Sequence, residues 1–281
     1  LIVTCLYAIL AVSLNLISGY TGIISLGHAA FYGIGAYSVA LGTSRWDASF
    51  WLVLLIAVFA SVTVGVVVGI PSLRIRGDYF IIATFAFQVI AFSVMNNWIS
   101  FTGGPMGIAG IPQPLIFGLP VTSRLGFFVL AMIFSTLCYI AVLRIVRSPF
   151  GRILRAIRED EVLASALGKN VAYYKIQVFI MGAVIAAVAG VLYGYYISFV
   201  DPSSFTVLES VFIISIVIIG GAGNVWGSLI GATLLVILPE ALRFVGMPSS
   251  IAANVRQILY GAALVACMMF RPQGIMGEFA F

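Results

Sequence analysis

The chain has 281 residues, of which 62% are hydrophobic and only 8% charged, with 14 Lys and Arg against 9 Asp and Glu. Soluble domains carry about 25% charged residues, and a mean hydropathy of +1.18 excludes one here; the composition is that of a polytopic α-helical membrane protein. The net charge of +5 does not indicate nucleic acid, because the excess is local: seven Lys and Arg residues lie between Arg144 and Lys175.

Uncharged runs cover 1–44, 48–73, 79–123, 125–143, 176–200 and 210–239. A hydrocarbon core of about 30 Å takes about 20 apolar helical residues, so several runs can cross it and the longest can hold two spans. The pattern predicts spans near 1–18, 22–43, 50–71, 79–99, 125–146, 173–199, 207–222, 225–242 and 254–270. The expected fold is all-α: one transmembrane domain over 1–281, with about 8–10 membrane segments and glycine-broken or re-entrant helices in each half. Leu1 already lies inside an apolar segment, so a further segment is expected upstream. Cys5, Cys138 and Cys267 sit within apolar runs and read as small core hydrophobes rather than a disulfide or metal set.

The first glycine-rich stretch runs from Gly19 to Gly35 and carries Ser25, Gly27 and His28. Glycine at this density costs a helix about 1 kcal/mol per residue relative to Ala. In lipid it is tolerated where neighbouring helices or a cavity satisfy the freed backbone groups. Two readings stand: close helix packing through GxxxG spacings such as Gly65/Gly69 and Gly190/Gly194, or a pathway built from broken helices. Polar neighbours favour the pathway around Ser25–His28, and Asn15, Thr84 and Gln88 are the further polar candidates. His28 is read either as a hydrogen-bonded brace or as a pathway residue about a third of the way across the bilayer. Broken-helix N–H groups in this stretch are expected to be donors for an anionic group of whatever passes.

Arg74 and Arg76 lie between two spans, and the positive-inside bias places their loop in the cytoplasm. Parity then puts 100–123 outside, 147–172 inside, 200–206 outside and Arg271 inside, so the basic clusters share one side. The outer segment from Thr102 to Pro114 is rich in Gly and Pro and free of charge. It is either a plain connection or a gate or docking surface for a solute delivered from outside.

The loop at 148–170 concentrates the charge. Ser148 is the expected N-cap, with Pro149 at the first helical position and Gly168 as the stop. Between them one amphipathic helix of about five turns is predicted, gathering Ile153, Leu154 and Ile157 on one face. Arg152, Arg155, Arg158, Glu159, Asp160 and Glu161 make its mixed-sign surface. Anionic lipid alone needs no acidic residues among the arginines, so a groove on a cytoplasmic partner is the expected docking site. The second glycine stretch runs from Gly220 and Gly221 to Gly231 and is the counterpart of the first in the other half.

Hydrolytic chemistry is missing. The only Gly-Lys pair, Gly168-Lys169, lacks the upstream glycine and following Ser or Thr of a phosphate-binding loop. One His and three dispersed Cys do not make a structural zinc site, and there is no GxSxG elbow. Asp201, Glu209 and Glu240 map near the outer face.

The run from Gly22 to Tyr37, Pro71–Phe80, Thr102–Ile108, Ser148–Glu161 and Val217–Asn224 together resemble branched-chain amino acid ABC transporter permeases of the LivM type. The resemblance implies a subunit of an importer for leucine, isoleucine or valine in a bacterial inner membrane. It also implies a second, LivH-type permease, two cytoplasmic ATPase subunits that bind ATP and Mg, and an external solute-binding protein. The chain itself then binds no cofactor, and Arg152–Gly168 is the coupling helix. Permeases for urea, short amides and other amino acids belong to the same family. An ion-coupled secondary carrier is the rival class.

Overall fold

In the computed structural model the described residues are 1–72, 79–116, 119–243, 261–262, 264–267, 269–271 and 273–277. The expected Arg74–Arg76 loop and much of the expected 254–270 span lie outside them, as does the side chain of Glu240.

Helix α1 (Ile2–Leu14) runs into a π-helical turn, Asn15–Gly19. Residues 22–27 are not helical, and α2 (His28–Trp46) starts only at His28. The expected 22–43 span is therefore corrected: glycines and Ser25 replace the first turn and a half by irregular backbone. Next come α3 (Phe50–Ser72), α4 (Tyr79–Asn97), the short α5 (Ile99–Thr102) and α6 (Arg124–Arg147). Helices α7 (Pro149–Glu159) and α8 (Glu161–Ala166) precede α9 (Val171–Ile197). The described chain continues with α10 (Val207–Gly220) and α11 (Val225–Arg243).

Among the described residues five helical segments are long and apolar enough to cross a membrane: 2–19, α3, α4, α6 and α9. Helices α10 and α11 form a bent pair whose axes turn by 119° at 221–224. The expected span at 207–222 is thus a 14-residue arm that ends at Gly220 and folds back. The five segments divide by burial. For 2–19 and α9 72% and 61% of the hydrophobic window is buried, against 28%, 22% and 28% for α3, α4 and α6. Helices α1 and α9 are central, and the other three present apolar side chains such as Phe59, Ile82 and Leu137 outward, as lipid permits.

Small residues set the central packing. The buried stripe of α3 is Val53, Ala57, Ser61, Gly65 and Gly69, one residue every turn, and Gly65 and Gly69 face Ile180, Ala183 and Phe179 of α9. Gly35 of α2 lies on the Ala187 backbone, and Gly190 of α9 lies under the Tyr32 carbonyl, leaving no room for a Cβ at either. Without water to drive association, close approach of this kind supplies the van der Waals energy that holds helices together in lipid. The packing reading of these glycines is correct for Gly65, Gly69 and Gly190.

Both faces of the domain can be recognised. The ends of α6 and α1 meet α7, since Arg158 reaches Gly19. At the other end Arg45 of α2 donates to the carbonyls of Ser100 (2.6 Å) and Phe101 (3.1 Å) and lies over the Phe101 ring. There Ile108–Ala109 pairs antiparallel with Phe199–Val200. The basic ends of α6, Arg144 and Arg147, share the α7 face, consistent with a cytoplasmic orientation.

Candidate functional site

The start of α2 is buried in the middle of the helices, where its first N–H groups have no partner in their own helix. Side chains from other helices take them. Thr84 Oγ1 accepts from the Leu26 amide (3.1 Å), and Gln88 Oε1 accepts from the Ala30 amide (2.7 Å) while its Nε2 donates to the Phe205 carbonyl (2.7 Å). Ser210 Oγ accepts from the Ala29 amide (3.0 Å) and donates to Gln88 Oε1 (3.3 Å). Ser25 Oγ accepts weakly from the Gly27 amide (3.4 Å). Thr84, Gln88, Ser25 and Ser210 are all fully buried.

Ser25, Gly27, Thr84 and Gln88 are brought together, as expected, at the broken segment. In this conformation the N–H groups expected to meet a solute anion are occupied by Thr84, Ser25, Ser210 and Gln88. His28, 1% exposed, faces Ser13, with Nε2 2.6 Å from its Oγ. Ser13 in turn donates to the Leu10 carbonyl (2.8 Å). That geometry is a brace between α1 and α2. Gly27 sits so close to the Phe87 ring (2.9 Å from an added Cβ) that a side chain there must displace it.

Asn15 sits elsewhere. Its Nδ2 donates to the Asn224 carbonyl (2.8 Å) and to Ser228 Oγ (2.7 Å), and its Oδ1 accepts from the Gly223 amide (2.9 Å). One side chain at the head of the π-turn therefore ties α1 to the break between α10 and α11. Asn224 caps α11, accepting from the Trp226 amide at 2.9 Å. Gly220 packs on Gly227 and Gly231, and Gly221 (φ +119°) approaches Gly277. The last carbonyls of α10 are satisfied from the far end of the chain: the Ile275 amide donates to Ile219 (2.9 Å) and the Met276 amide to Gly220 (3.1 Å). Gly220 and Gly221 thus belong to a hinge-like break, not to the Ser25–Gln88 cluster.

The charged loop is two helices, not one. Ser148 caps α7, and Pro149 is at its first position. Asp160 then takes extended backbone and its Oδ1 accepts from the Val162 and Leu163 amides (2.8 and 2.9 Å), restarting the helix as α8. Gly168 (φ +77°) ends α8, and Asn170 caps α9 through the Tyr173 amide. The predicted five-turn helix failed because an Asp can cap as well as continue a helix. Asp160→Ala is expected to lower the stability of this loop by about 1 kcal/mol. Faster amide exchange confined to 161–167 would register it; unchanged exchange there would refute the cap.

The charges face two ways. Leu154 and Ile157 are buried, and the neighbouring Arg155 and Arg158 turn toward the end of α1. Arg158 donates to the Gly19 carbonyl, its stem passes Gly22, and Arg155 lies 5.5 Å over the Tyr20 ring. Burial lowers the affinity of the Arg158 guanidinium for its proton, yet arginine keeps its charge in proteins. Arg152, Glu159, Asp160 and Glu161 point to solvent, Glu161 pairing with Lys175 at 2.7 Å. Between α7 and α8 lies a shallow hollow of about 280 Å³ lined by Pro149, Ile153, Ala156, Ala164 and Leu167 with Arg152 and Lys169. Val162, Leu163 and Leu167 beside it are 77%, 58% and 71% exposed.

Sequence reasoning missed Ser210, Ser228 and Tyr20. The Gly-rich run before Asn224 carried the only signal for the break, and nothing local marked Ser210 as a cap for a helix 181 residues earlier. No group of three or more His, Cys, Asp or Glu fit to hold a metal occurs among the described residues.

Residues 1–268 match the family described as "Branched-chain amino acid transport system / permease component". The high-affinity branched-chain amino acid transport system permease protein LivM of Salmonella typhimurium is 33% identical over 97% of this chain and 68% of its own length. That of Escherichia coli is 34% identical over the same shares. The LivH permease protein of Salmonella typhimurium is 26% identical over 97% of this chain and 91% of its own. A solved structure, PsaBC from Streptococcus pneumoniae in complex with Fab, aligns at 14% identity and a TM-score of 0.48 over 97% of this chain and 90% of that one.

Proposed function

The chain belongs to the family of branched-chain amino acid transport system permease components, and from that membership we propose how it works: it moves leucine, isoleucine or valine inward across a bacterial inner membrane. Its energy comes from two ATPase subunits that bind ATP and Mg on the cytoplasmic side. A LivH-type permease completes the conduit, and an external solute-binding protein delivers the solute to the outer face around 100–123 and 199–206.

The observation that carries this reading is the two-sided α7–α8 unit. Its outward side offers exposed Val162, Leu163 and Leu167 and a basic-rimmed hollow, an apolar patch with the character of a protein-docking surface. Its inward side holds the end of α1 through Arg158 and Arg155. Closure of the ATPase pair would push on the outward side. The inward side would pass that displacement to the π-turn, and Asn15 would pass it to the α10–α11 break. Bistable helix ends of this kind turn small shifts into gating by rigid-body motion. The seated N–H groups of α2 fit a closed conformation, and opening would free them for the solute carboxylate.

Co-purification from native membrane tests the assignment. The expected result is a complex with a second permease and two copies or types of ATPase, and leucine uptake into proteoliposomes only with ATP inside. Uptake by this chain alone without nucleotide would establish an ion-coupled carrier instead. ATP-driven uptake of urea or a short amide in preference to leucine would keep the class and replace the solute.

A further inference from the structure

Among the described side chains of the membrane-embedded helices Glu209 is the only carboxylate. A carboxylate at such a place is costly and is retained for a partner or a function. It stands third in the first turn of α10, in the order Thr206-x-x-Glu209 that usually makes a reciprocal cap. The Thr206 side chain makes no cap bond, and the Glu209 carboxylate instead crosses to α1, accepting from the Tyr7 hydroxyl at 2.6 Å.

Further tyrosines lie within electrostatic reach of it. Tyr32, 2% exposed, lies within electrostatic reach of both Glu209 and Tyr7 and packs on Tyr193 and Phe205, each at 5.2 Å between ring centroids. Tyr193 donates to Ser204 (3.2 Å), which donates to Asp201 (2.7 Å). Tyr37, 5% exposed, lies within electrostatic reach of Asp201 and 6.1 Å from Phe205, and its buried hydroxyl has no hydrogen-bond partner among the described residues. Neither Glu209 nor Asp201 has a Lys or Arg partner there, the only described ion pair being Lys175–Glu161. Among the described residues, then, Glu209 with only the Tyr7 hydroxyl, Asp201 with only Ser203 and Ser204, the unpaired Tyr37 hydroxyl and several ring faces have no cation.

We propose that this cluster, centred on Glu209, Tyr7 and Tyr32 and flanked by Asp201 and Tyr37, binds a primary ammonium group, and that the amino group of the entering amino acid is its occupant. An ammonium group has three donors for one carboxylate and two phenol oxygens, and aromatic faces favour a desolvated organic cation. A hard divalent ion wants six or more oxygen ligands, more than this apolar nest offers. The cluster lies beneath the 199–206 turn, where a solute delivered from outside arrives first. The occupant, though not the site, rests on the amino-acid reading above.

The probe is 3-methylbutylammonium, leucine without its carboxylate, read by saturation-transfer NMR on the complete transporter in nanodiscs. Saturable binding is expected, at least about tenfold weaker in Glu209→Gln, as loss of a charge-assisted contact requires. Tyr37→Phe removes only the unpaired hydroxyl and is expected to weaken the probe about threefold; it serves should the Gln variant fail to assemble. 4-Methylpentanoate, which lacks the amine, should not compete. Equal probe affinity in wild type and Glu209→Gln, displacement by 4-methylpentanoate, or saturable sodium binding in place of the probe would overturn the site. Probe binding in a transporter that carries no amino acid would refute the solute and leave the ammonium site standing. Leucine uptake without probe binding would do the reverse.

Discussion

Arg158→Met is expected to cut solute uptake at least about tenfold while the complex still hydrolyses ATP, an energetic loss in the range of one charged hydrogen bond. The substitution keeps most of the apolar stem that passes Gly22 and removes the guanidinium that donates to the Gly19 carbonyl. Helix α7 should stay in place, because Leu154 and Ile157 remain fully buried against the domain. What is lost is the tie between that helix and the end of the π-turn. Displacement of α7 then no longer moves α1, and hydrolysis runs without transport. Arg158→Lys keeps a cation without the planar fork and should recover part of the uptake. The measurement is the ratio of solute moved to ATP consumed in proteoliposomes. A wild-type ratio in Arg158→Met would remove the inward link from the mechanism. The outward side needs its own control: Glu159 is exposed, so Glu159→Lys leaves the Arg158–Gly19 tie in place and is expected to lower ATP-driven uptake through the proposed ATPase docking face.

The two sides of that loop illustrate what was legible. Helical periodicity gathered Leu154 and Ile157 correctly, and Ser148, Pro149 and Gly168 marked the ends. Periodicity gives the face a residue occupies, not what that face meets. Arg155 and Arg158 lie one turn from Gly151 and Leu154, so the same helix turn that buries the leucine carries the arginines inward to Tyr20 and Gly19. The sequence places all six charges on a single docking surface, and the structure divides them. Spans built on uninterrupted apolar runs, such as α3, α6 and α9, fell within a few residues of expectation. The broken segments were recognised by glycine, but their partners were not: Thr84 and Gln88 each cap backbone 58 residues away, and Tyr7 meets Glu209 across 202. Pairings at that separation leave no local pattern, since each member is a polar residue in an apolar run and only the fold decides which two share a face.

The break between α10 and α11 yields the second large effect. Asn15→Leu, which shares the branch at Cγ, removes both donors and the acceptor that join the π-turn to Asn224, Ser228 and Gly223. Two buried hydrogen bonds and one part-buried at about 1 kcal/mol each, with the Gly223 amide left unpaired, put the loss near 3 kcal/mol. Uptake should fall below about a tenth of wild type, and the detergent-solubilised complex should lose its monodisperse peak at a lower temperature. Asn15→Asp keeps the acceptor for Gly223 but sets a carboxylate against the Asn224 carbonyl, and should do no better. Gly19 supplies an independent approach to the same joint. A Cβ there collides with Asn15 Oδ1 and crowds the Gly223 amide, so Gly19→Ala should reproduce the defect without removing any polar group. If both act through one joint, the double variant will be no worse than Asn15→Leu, because contacts that share partners do not add. Fully additive losses, or normal uptake in Asn15→Leu, would mean that the π-turn and the break move independently and that force reaches the α10–α11 pair by another route.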